Sequence, residues 1–431
     1  MLSLQDEQRS GTADVAVRVR DFYDRYPYPP PVDSLERYRQ RWQDLQRRRA
    51  DYHLFWPDRA YREDRTILIA GCGTSQAAKH ALRWPSAQVT GIDFSAPSVR
   101  HTEALKQEYN LDNLQLRQLP VEQASDLETS FDQIVCTGVL HHLADPDAGL
   151  RALRAVLKPY GTMHLMVYAP YGRAGIYMLQ DYCRRIGVWP SDREIQDLVA
   201  ALRALPQGHP LMHLLREAPD FQNEAALADA LLHPQDRAYS VPQLFDLVRG
   251  AGLSFGRWLR QAPYLAQCGA IAGTPHASRL MDLSAAEQYA AMELFRGTMV
   301  RHSVIVSRHD RPRKERPVRF DDASWHNLVP IRLPRTISVQ ERLPPGAAAV
   351  LINQSHTYTD LYLPIDEREK QLFDAIDGKR TIAEIVRSTG AGDKHWERAR
   401  TLFERLWAYD QVVFDAWSQV AQDPSAQRRP S

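Results

Sequence analysis

A glycine-rich turn that begins at Gly71 is the first feature of this 431-residue sequence whose residue types suggest chemistry. Gly71, Cys72 and Gly73 follow the apolar run Thr66–Ala70, and a helical segment comes next. Glycine lets the backbone turn sharply and approach a ligand closely, because no Cβ stands in the way. The helix N-terminus then offers free N–H groups to a carboxylate or phosphate. The pattern predicts a nucleoside-type site.

An acidic residue supports the same prediction. Asp93 ends a second apolar segment about twenty residues further on, where a carboxylate can accept hydrogen bonds from both ribose hydroxyls. A dinucleotide fingerprint would need glycine where this chain has Gln76, and the Gly-Lys-Ser/Thr of a P-loop is absent. These two differences separate the site from dinucleotide and triphosphate sites.

Histidine and tyrosine residues after the predicted fourth and fifth strands are candidates for the chemical step. His141 and His142 are candidate general bases, with the alternative that they only shape their loop. Tyr168, Tyr171 and Arg173 follow the fifth strand at the carboxyl edge of the sheet, where open α/β folds bind substrate. We expect them to line the substrate site, although aromatic residues there could simply pack a loop.

Two further segments carry clustered polar and aromatic residues. A Tyr-Pro-rich stretch before the first strand contains Tyr26 and Tyr28, which we expect to close over the bound ligand. A later helical insertion contains Asp229, His233 and Asp236, which belong either to a lid or to an ordinary capped helix junction with salt bridges.

The elements that position these residues alternate between strand and helix. Short continuous apolar runs predict strands buried on both faces, and short loops connect them to amphipathic helical segments. This order is typical of an α/β fold with a Rossmann-like, doubly wound, seven-stranded sheet. The predicted strands are 66–70, 88–93, 114–116, 131–137, 162–167, 253–258 and 303–307.

The domain organisation is predicted from changes in residue composition and apolar periodicity along the chain. A Pro/Arg-rich stretch after residue 310 reads as a linker, and capping and apolar periodicity resume beyond it. We predict an N-terminal helical cap (1–60), the doubly wound domain (61–310) with a helical lid insertion at about 173–250, a linker (311–342), a small winged-helix-like α+β domain (343–417) and a disordered tail (418–431).

The segment Phe131–Leu143, followed by Leu157-Lys158-Pro159-x-Gly161, resembles the fourth strand, loop and "LKPGG" turn of class I S-adenosylmethionine-dependent methyltransferases. The resemblance covers roughly residues 65–168 and implies S-adenosyl-L-methionine as cofactor. The stretch around Tyr26 and Tyr28 is similar to the "YPYP" lead-in of several bacterial methyltransferases.

The resemblance implies cofactor contacts at four places, and Tyr26 is placed with them as part of the closing segment. It puts the first turn, Gly71, Cys72 and Gly73, beside the methionine moiety, and Asp93 and Phe94 beside ribose and adenine. It puts Pro120, Val121 and Glu122 beside adenine, and Thr137 and Gly138 near the methyl group. The chain departs from the family pattern at Ile69, Ser75 and Pro120, where an acid, a glycine and an acid are usual.

The segment 366–386 is similar to the winged-helix peptide-binding domain of pyrroloquinoline-quinone biosynthesis and to C-terminal regulatory domains of some bacterial protein methyltransferases. Three functions follow as alternatives. The protein methylates an O, N or S atom of a small molecule, which base rates favour; it methylates a peptide or protein that the C-terminal module presents; or it is a non-catalytic cofactor-binding regulator.

Composition limits the partners. The net charge of +1 argues against a dedicated nucleic-acid binder. The four cysteines form no CxxC pair, and His209 and His213 have zinc-like spacing without a third ligand, so no metal site is predicted. Without a signal peptide or a long apolar run, a cytoplasmic protein without membrane contact is expected. The sequence is compatible with a homodimer.

Overall fold

The computed structural model describes residues 14–15, 17–26, 29–212, 224–311, 318–390 and 396–417. Tyr28, His213 and the predicted tail lie outside the described residues. The strands are β1 (Thr66–Ala70), β2 (Gln88–Asp93), β3 (Leu114–Gln118), β4 (Phe131–Thr137), β5 (Leu157–Tyr168), β6 (Leu253–Trp258), β7 (Arg301–Arg308), β8 (Val329–Arg332), β9 (Thr336–Val339), β10 (Ala349–Asn353), β11 (Tyr362–Ile365) and β12 (Val412–Asp415).

Helices connect these strands. They are α1 (Glu36–Trp42), α2 (Leu45–Phe55), α3 (Gln76–Arg83), α4 (Ala96–Glu108), α5 (Pro146–Ala155), α6 (Ala174–Arg185), α7 (Asp192–Arg203), α8 (Glu224–Leu232), α9 (Val241–Gly250), α10 (Ala277–Met281), α11 (Ala285–Arg296), α12 (Glu367–Asp374), α13 (Ile382–Ser388) and α14 (Trp396–Ala408). Within the described ranges, none of them has the length and apolar character that a membrane crossing requires.

The predicted seven-stranded sheet is confirmed, in the order β3-β2-β1-β4-β5-β7-β6. Strands β1 to β5 pair in parallel, whereas β7 runs antiparallel to β5. Ile67, Leu68 and Ile69 of the central strand are at most 2% exposed, as expected for a strand covered on both faces. Because β1, β2 and β4 are parallel neighbours, their carboxyl ends and the loops after them meet at one edge.

Two helices begin at the N-cap residues that the sequence predicts, Ser95 and Asp145. The Ser95 side chain accepts a hydrogen bond from the Ser98 backbone N–H, and the Asp145 side chain accepts one from Ala148. Proline in the first turn of both helices presets the backbone dihedral φ for helix. These caps set where α4 and α5 start and therefore hold the loops that precede them.

The compact unit that contains this sheet comprises residues up to 39, 63–257 and 293–311. Its helical insertion has a core of its own, built by α6, α7, α8 and the helical residues 17–25. The buried apolar members include Phe22, Ile176, Leu179, Ile195, Leu198, Leu227 and Leu231. The N-terminal helix is therefore packed against the insertion.

A second compact unit comprises residues 40–62, 258–292 and the chain from 312 onward. It holds a three-stranded sheet, β11-β10-β9, and a two-stranded sheet, β12-β8, with α12, α13 and α14 around a common core. Ala399, Leu402, Phe403 and Leu406 are fully buried on one face of α14, as the periodicity predicts. Residues 318–342 are predicted as part of a linker, but they contain β8 and β9, since their short apolar stretches pair with β12 and β10. The winged-helix assignment stays a prediction.

Candidate functional site

The turn after β1 requires its glycines. Gly71 and Gly73 have φ angles of +69° and +54°, in the left-handed region that residues with a Cβ rarely adopt. The backbone N–H groups of Gly71 and Cys72 both donate to the carbonyl of Ile92 at 2.9 Å. These bonds join the end of β1 to the end of β2, so the glycine turn and Asp93 are held side by side.

Replacing Gly71 with alanine is expected to lower the free energy of unfolding by about 2–4 kcal/mol. The added Cβ would lie 2.2 Å from Cγ2 of Val139 and would need a left-handed backbone. Amide hydrogen exchange of β1 and β2 measures the loss within this compact unit. Gly208→Ala is the control, because a Cβ at Gly208 meets no atom within 4 Å.

Adding Val139→Ala to Gly71→Ala removes the steric clash but leaves the left-handed backbone strained. The double variant is therefore expected to be less destabilised than the sum of the two single changes. Strictly additive losses would show that the turn does not close against Val139.

The Asp93 carboxylate lies at the end of β2 and is largely buried. Its Oδ2 accepts a hydrogen bond from the Gly73 backbone N–H at 2.8 Å, and its Oδ1 accepts one from Ser95 at 3.0 Å. Burial raises the pKa of Asp93, and the two backbone hydrogen bonds counter part of that rise. A carboxylate has about four acceptor positions, so two are left for ribose hydroxyls. The residues present therefore fit a nucleoside.

The predicted adenine contacts follow β2 and β3. Phe94 directly follows Asp93 and is half-buried. Pro120 precedes the 3-10 helix Val121–Leu127, in which Val121 is buried and Glu122 is exposed. The two apolar side chains could border a flat ring, and Glu122 could reach its edge from the solvent side.

The loop after β4 presents the two histidines differently. Thr137 ends the strand, and Gly138 turns the chain with a φ of +78°. His141 is fully buried, and its ring lies 4.0 Å from the ring of Tyr168. Burial lowers the pKa of His141 well below its usual value, so it is a poor proton acceptor. His142 is therefore left as the candidate base.

His142 belongs to a buried polar cluster that the insertion and the N-terminal helix complete. Its ring lies 3.9 Å from that of His233 and 6.1 Å from that of Tyr23. The Tyr23 hydroxyl donates to Asp229 Oδ1 at 2.9 Å. A ring nitrogen of each histidine and an oxygen of Asp229 lie within 4.8 Å of one another. We call Tyr23, His142, Asp229 and His233 the polar cluster.

Among the described residues of the N-terminal segment, Tyr23 faces this cluster and Tyr26 does not. The Tyr26 hydroxyl donates to Asp192 Oδ1 at 3.1 Å, and its ring packs on Phe22 in the core of the insertion. Tyr23 also meets the ring of Phe94 edge-on at 6.1 Å. No local sequence signal singles out Tyr23, because its partner Asp229 lies 206 residues further along the chain.

Arg173 lies between β5 and α6 and contacts the segment 233–239 through Asp236. Its Nη2 donates to Asp236 Oδ2 at 3.1 Å, and its guanidinium carbon lies 3.5 Å from the centre of the Tyr168 ring. Tyr171, predicted beside them, is 45% exposed. The structure thus brings Tyr168 and Arg173 together and places the Tyr171 side chain at the surface.

Comparisons with known proteins agree with this architecture. Residues 68–163 match a family model described as a methyltransferase domain. An uncharacterised protein of Synechococcus sp. is 34% identical over 56% of this chain and 59% of its own length. A ubiquinone biosynthesis O-methyltransferase of Paracidovorax citrulli is 30% identical over 31% of this chain and 59% of its own length. The chain thus spans less than two thirds of these relatives.

A solved structure has the same fold over most of this chain. PKMT2 from Rickettsia typhi superposes with a TM-score of 0.61 at 15% identity, covering 90% of this chain and 76% of that one. The sheet order, the glycine turn with Asp93 and the matching family model together define the class. The chain carries a class I S-adenosylmethionine-dependent methyltransferase domain.

Proposed function

We propose that the protein transfers the methyl group of S-adenosylmethionine to a small-molecule acceptor. One observation carries this proposal: the end of the insertion is hydrogen-bonded to the loop after β4 and to the end of β5. The backbone N–H of Arg237 donates to the His141 carbonyl at 3.0 Å, and that of Tyr239 donates to the Tyr168 carbonyl at 2.9 Å. A covered, aromatic-lined region suits a small acceptor that becomes enclosed and dehydrated before methyl transfer.

Two regions of this chain would have separate roles, one in binding the cofactor and one in binding the acceptor. The Gly71–Gly73 turn and Asp93 would hold the cofactor, which supplies an already activated methyl group. The polar cluster, with Tyr168 and Arg173, would orient the acceptor and exclude water. The Paracidovorax citrulli relative, named as an O-methyltransferase of ubiquinone biosynthesis, favours the same class of acceptor.

The test incubates the purified protein with methyl-labelled S-adenosylmethionine and a bacterial cell extract, followed by separation of small molecules from macromolecules. We expect label in the small-molecule fraction, and much less of it with the Asp93→Ala variant. Label found only in polypeptide would favour the protein-acceptor alternative. If the protein bound the cofactor but transferred no label, the regulator alternative would be favoured.

A further inference from the structure

The main chain of Gln235 contacts two buried imidazole rings, one as a hydrogen-bond acceptor and the other as a donor. Its carbonyl lies 2.7 Å from Nδ1 of His142, and its N–H donates to Nδ1 of His233 at 3.0 Å. A carbonyl can only accept a hydrogen bond, so Nδ1 of His142 carries a proton. A backbone N–H can only donate, so Nδ1 of His233 carries a lone pair. In the neutral rings, Nε2 is therefore an acceptor on His142 and a donor on His233.

The donor on His233 is unsatisfied. His233 is 8% exposed, and its Nε2 is buried without a hydrogen-bond partner among the described residues. Burial lowers the pKa of His233 well below its usual value, so the ring remains neutral near neutral pH. Leaving a buried donor unpaired costs free energy unless a ligand supplies an acceptor.

We propose that His142 and His233 together bind the hydroxyl group of the methyl acceptor, which makes that acceptor an alcohol or a phenol. This inference rests on the proposed methyltransferase function and names the acceptor atom. A hydroxyl can donate to Nε2 of His142 and accept from the Nε2–H of His233, and its oxygen keeps a second lone pair for attack. A neutral amine has one lone pair, which a hydrogen bond from His233 would occupy.

These residues account for every bond and proton in the transfer of the methyl group to the hydroxyl oxygen. The acceptor oxygen forms a bond to the methyl carbon as the carbon–sulfur bond breaks, and the electron pair of that bond stays on sulfur. The hydroxyl proton moves to Nε2 of His142, so the products are a methyl ether, S-adenosylhomocysteine and a protonated histidine. The Asp229 carboxylate, which accepts a hydrogen bond from Tyr23, stabilises that cation until the proton passes to water.

The same residue types could hold a divalent metal ion, because two histidines and a carboxylate lie within 4.8 Å of one another. The hydrogen bond from Gln235 argues against that use. A neutral His233 that accepts at Nδ1 keeps its proton on Nε2 and so has no lone pair there for a metal. The hydrogen-bond pattern therefore favours a hydroxyl.

Long-range proton–nitrogen NMR of the nitrogen-labelled full chain tests the tautomers without any activity. We expect the Nδ1–H tautomer for His142 and the Nε2–H tautomer for His233, with assignments from His142→Gln and His233→Gln. With S-adenosylhomocysteine present, phenol should shift both ring signals, whereas anisole, which lacks the hydroxyl proton, should leave the signals of His142 unchanged. Reversed tautomers, or equal responses to phenol and anisole, would overturn the proposal.

Activity of the same variants gives a second, separable readout. We expect His142→Gln to lower methyl transfer to the hydroxyl acceptor by about 100-fold or more without changing the affinity for S-adenosylhomocysteine. His233→Leu should lower it as well, and His233→Gln, which keeps an N–H donor, should restore part of the rate. His309→Gln is the control, because His309 is exposed and follows β7 at the opposite edge of the sheet.

Failure of this inference differs from failure of the proposed function. Methyl transfer that occurs only to amines or thiols, or that is unaffected in His142→Gln, would overturn the hydroxyl assignment and leave the methyltransferase proposal standing. Binding of S-adenosylhomocysteine without transfer to any acceptor would overturn the function itself, and with it the assigned role of the two histidines.

Discussion

Replacing Asp93 with alanine is expected to weaken the binding of S-adenosylhomocysteine by about 100-fold, because two hydrogen bonds to a charged carboxylate are worth about 1.5 kcal/mol each or more. The buried carboxylate also accepts from the N–H groups of Gly73 and Ser95, so its loss leaves the turn without its anchor. Isothermal titration of the wild type and the variant with S-adenosylhomocysteine measures the change.

Two variants make this result specific. Asp93→Asn keeps one acceptor oxygen but loses the charge, so an intermediate affinity is expected. Asp112→Ala removes an exposed carboxylate after α4 and should bind as the wild type does. Unchanged affinity in Asp93→Ala would place the cofactor elsewhere. A folded wild type that does not bind at all would mean that the departures from the family pattern at Ile69, Ser75 and Pro120 matter.

The sheet and the cofactor side of the site were predictable because their signals are local. Each buried strand is one apolar run, and parallel neighbours bring their carboxyl ends together, so Gly71 and Asp93 must meet. The caps at Ser95 and Asp145 are equally local. The segment 318–342 was not predictable in this way, since its strands are short and the Pro/Arg-rich stretch before them suggests a linker.

The acceptor side depends on contacts between residues far apart in sequence. Tyr23 and Asp229 are separated by 206 residues, and only packing of the N-terminal helix on the insertion shows that Tyr23, rather than Tyr26, faces the polar cluster. Gln235 acts through its main chain, so its side-chain identity carries no signal. The sequence groups His233 with Asp229 and Asp236, but the tautomer of His233 follows from one backbone hydrogen bond.

Replacing Asp236 with alanine is expected to destabilise the insertion locally by about 3–5 kcal/mol, because it leaves a buried guanidinium without its counter-ion. The side chains of Arg173 and Asp236 are only 8% and 1% exposed, and Gln180 donates to the same carboxylate oxygen at 3.0 Å. Amide hydrogen exchange of α6 and residues 233–239 measures the local loss, which global unfolding of a chain with two compact units would obscure.

We expect the destabilisation by Asp236→Ala to come mainly from the unpaired charge of Arg173, and only in part from the lost attraction between the two side chains. The double variant Arg173→Met with Asp236→Leu separates these two contributions. Apolar side chains of similar volume leave no buried charge, so the double variant should exchange more slowly than either Asp236→Ala or Arg173→Met. Asp181→Ala, which breaks an exposed pair with Arg185, should change exchange by less than about 1 kcal/mol. If the double variant opened as readily as the single ones, the guanidinium over Tyr168 would itself be the anchor of the segment above it.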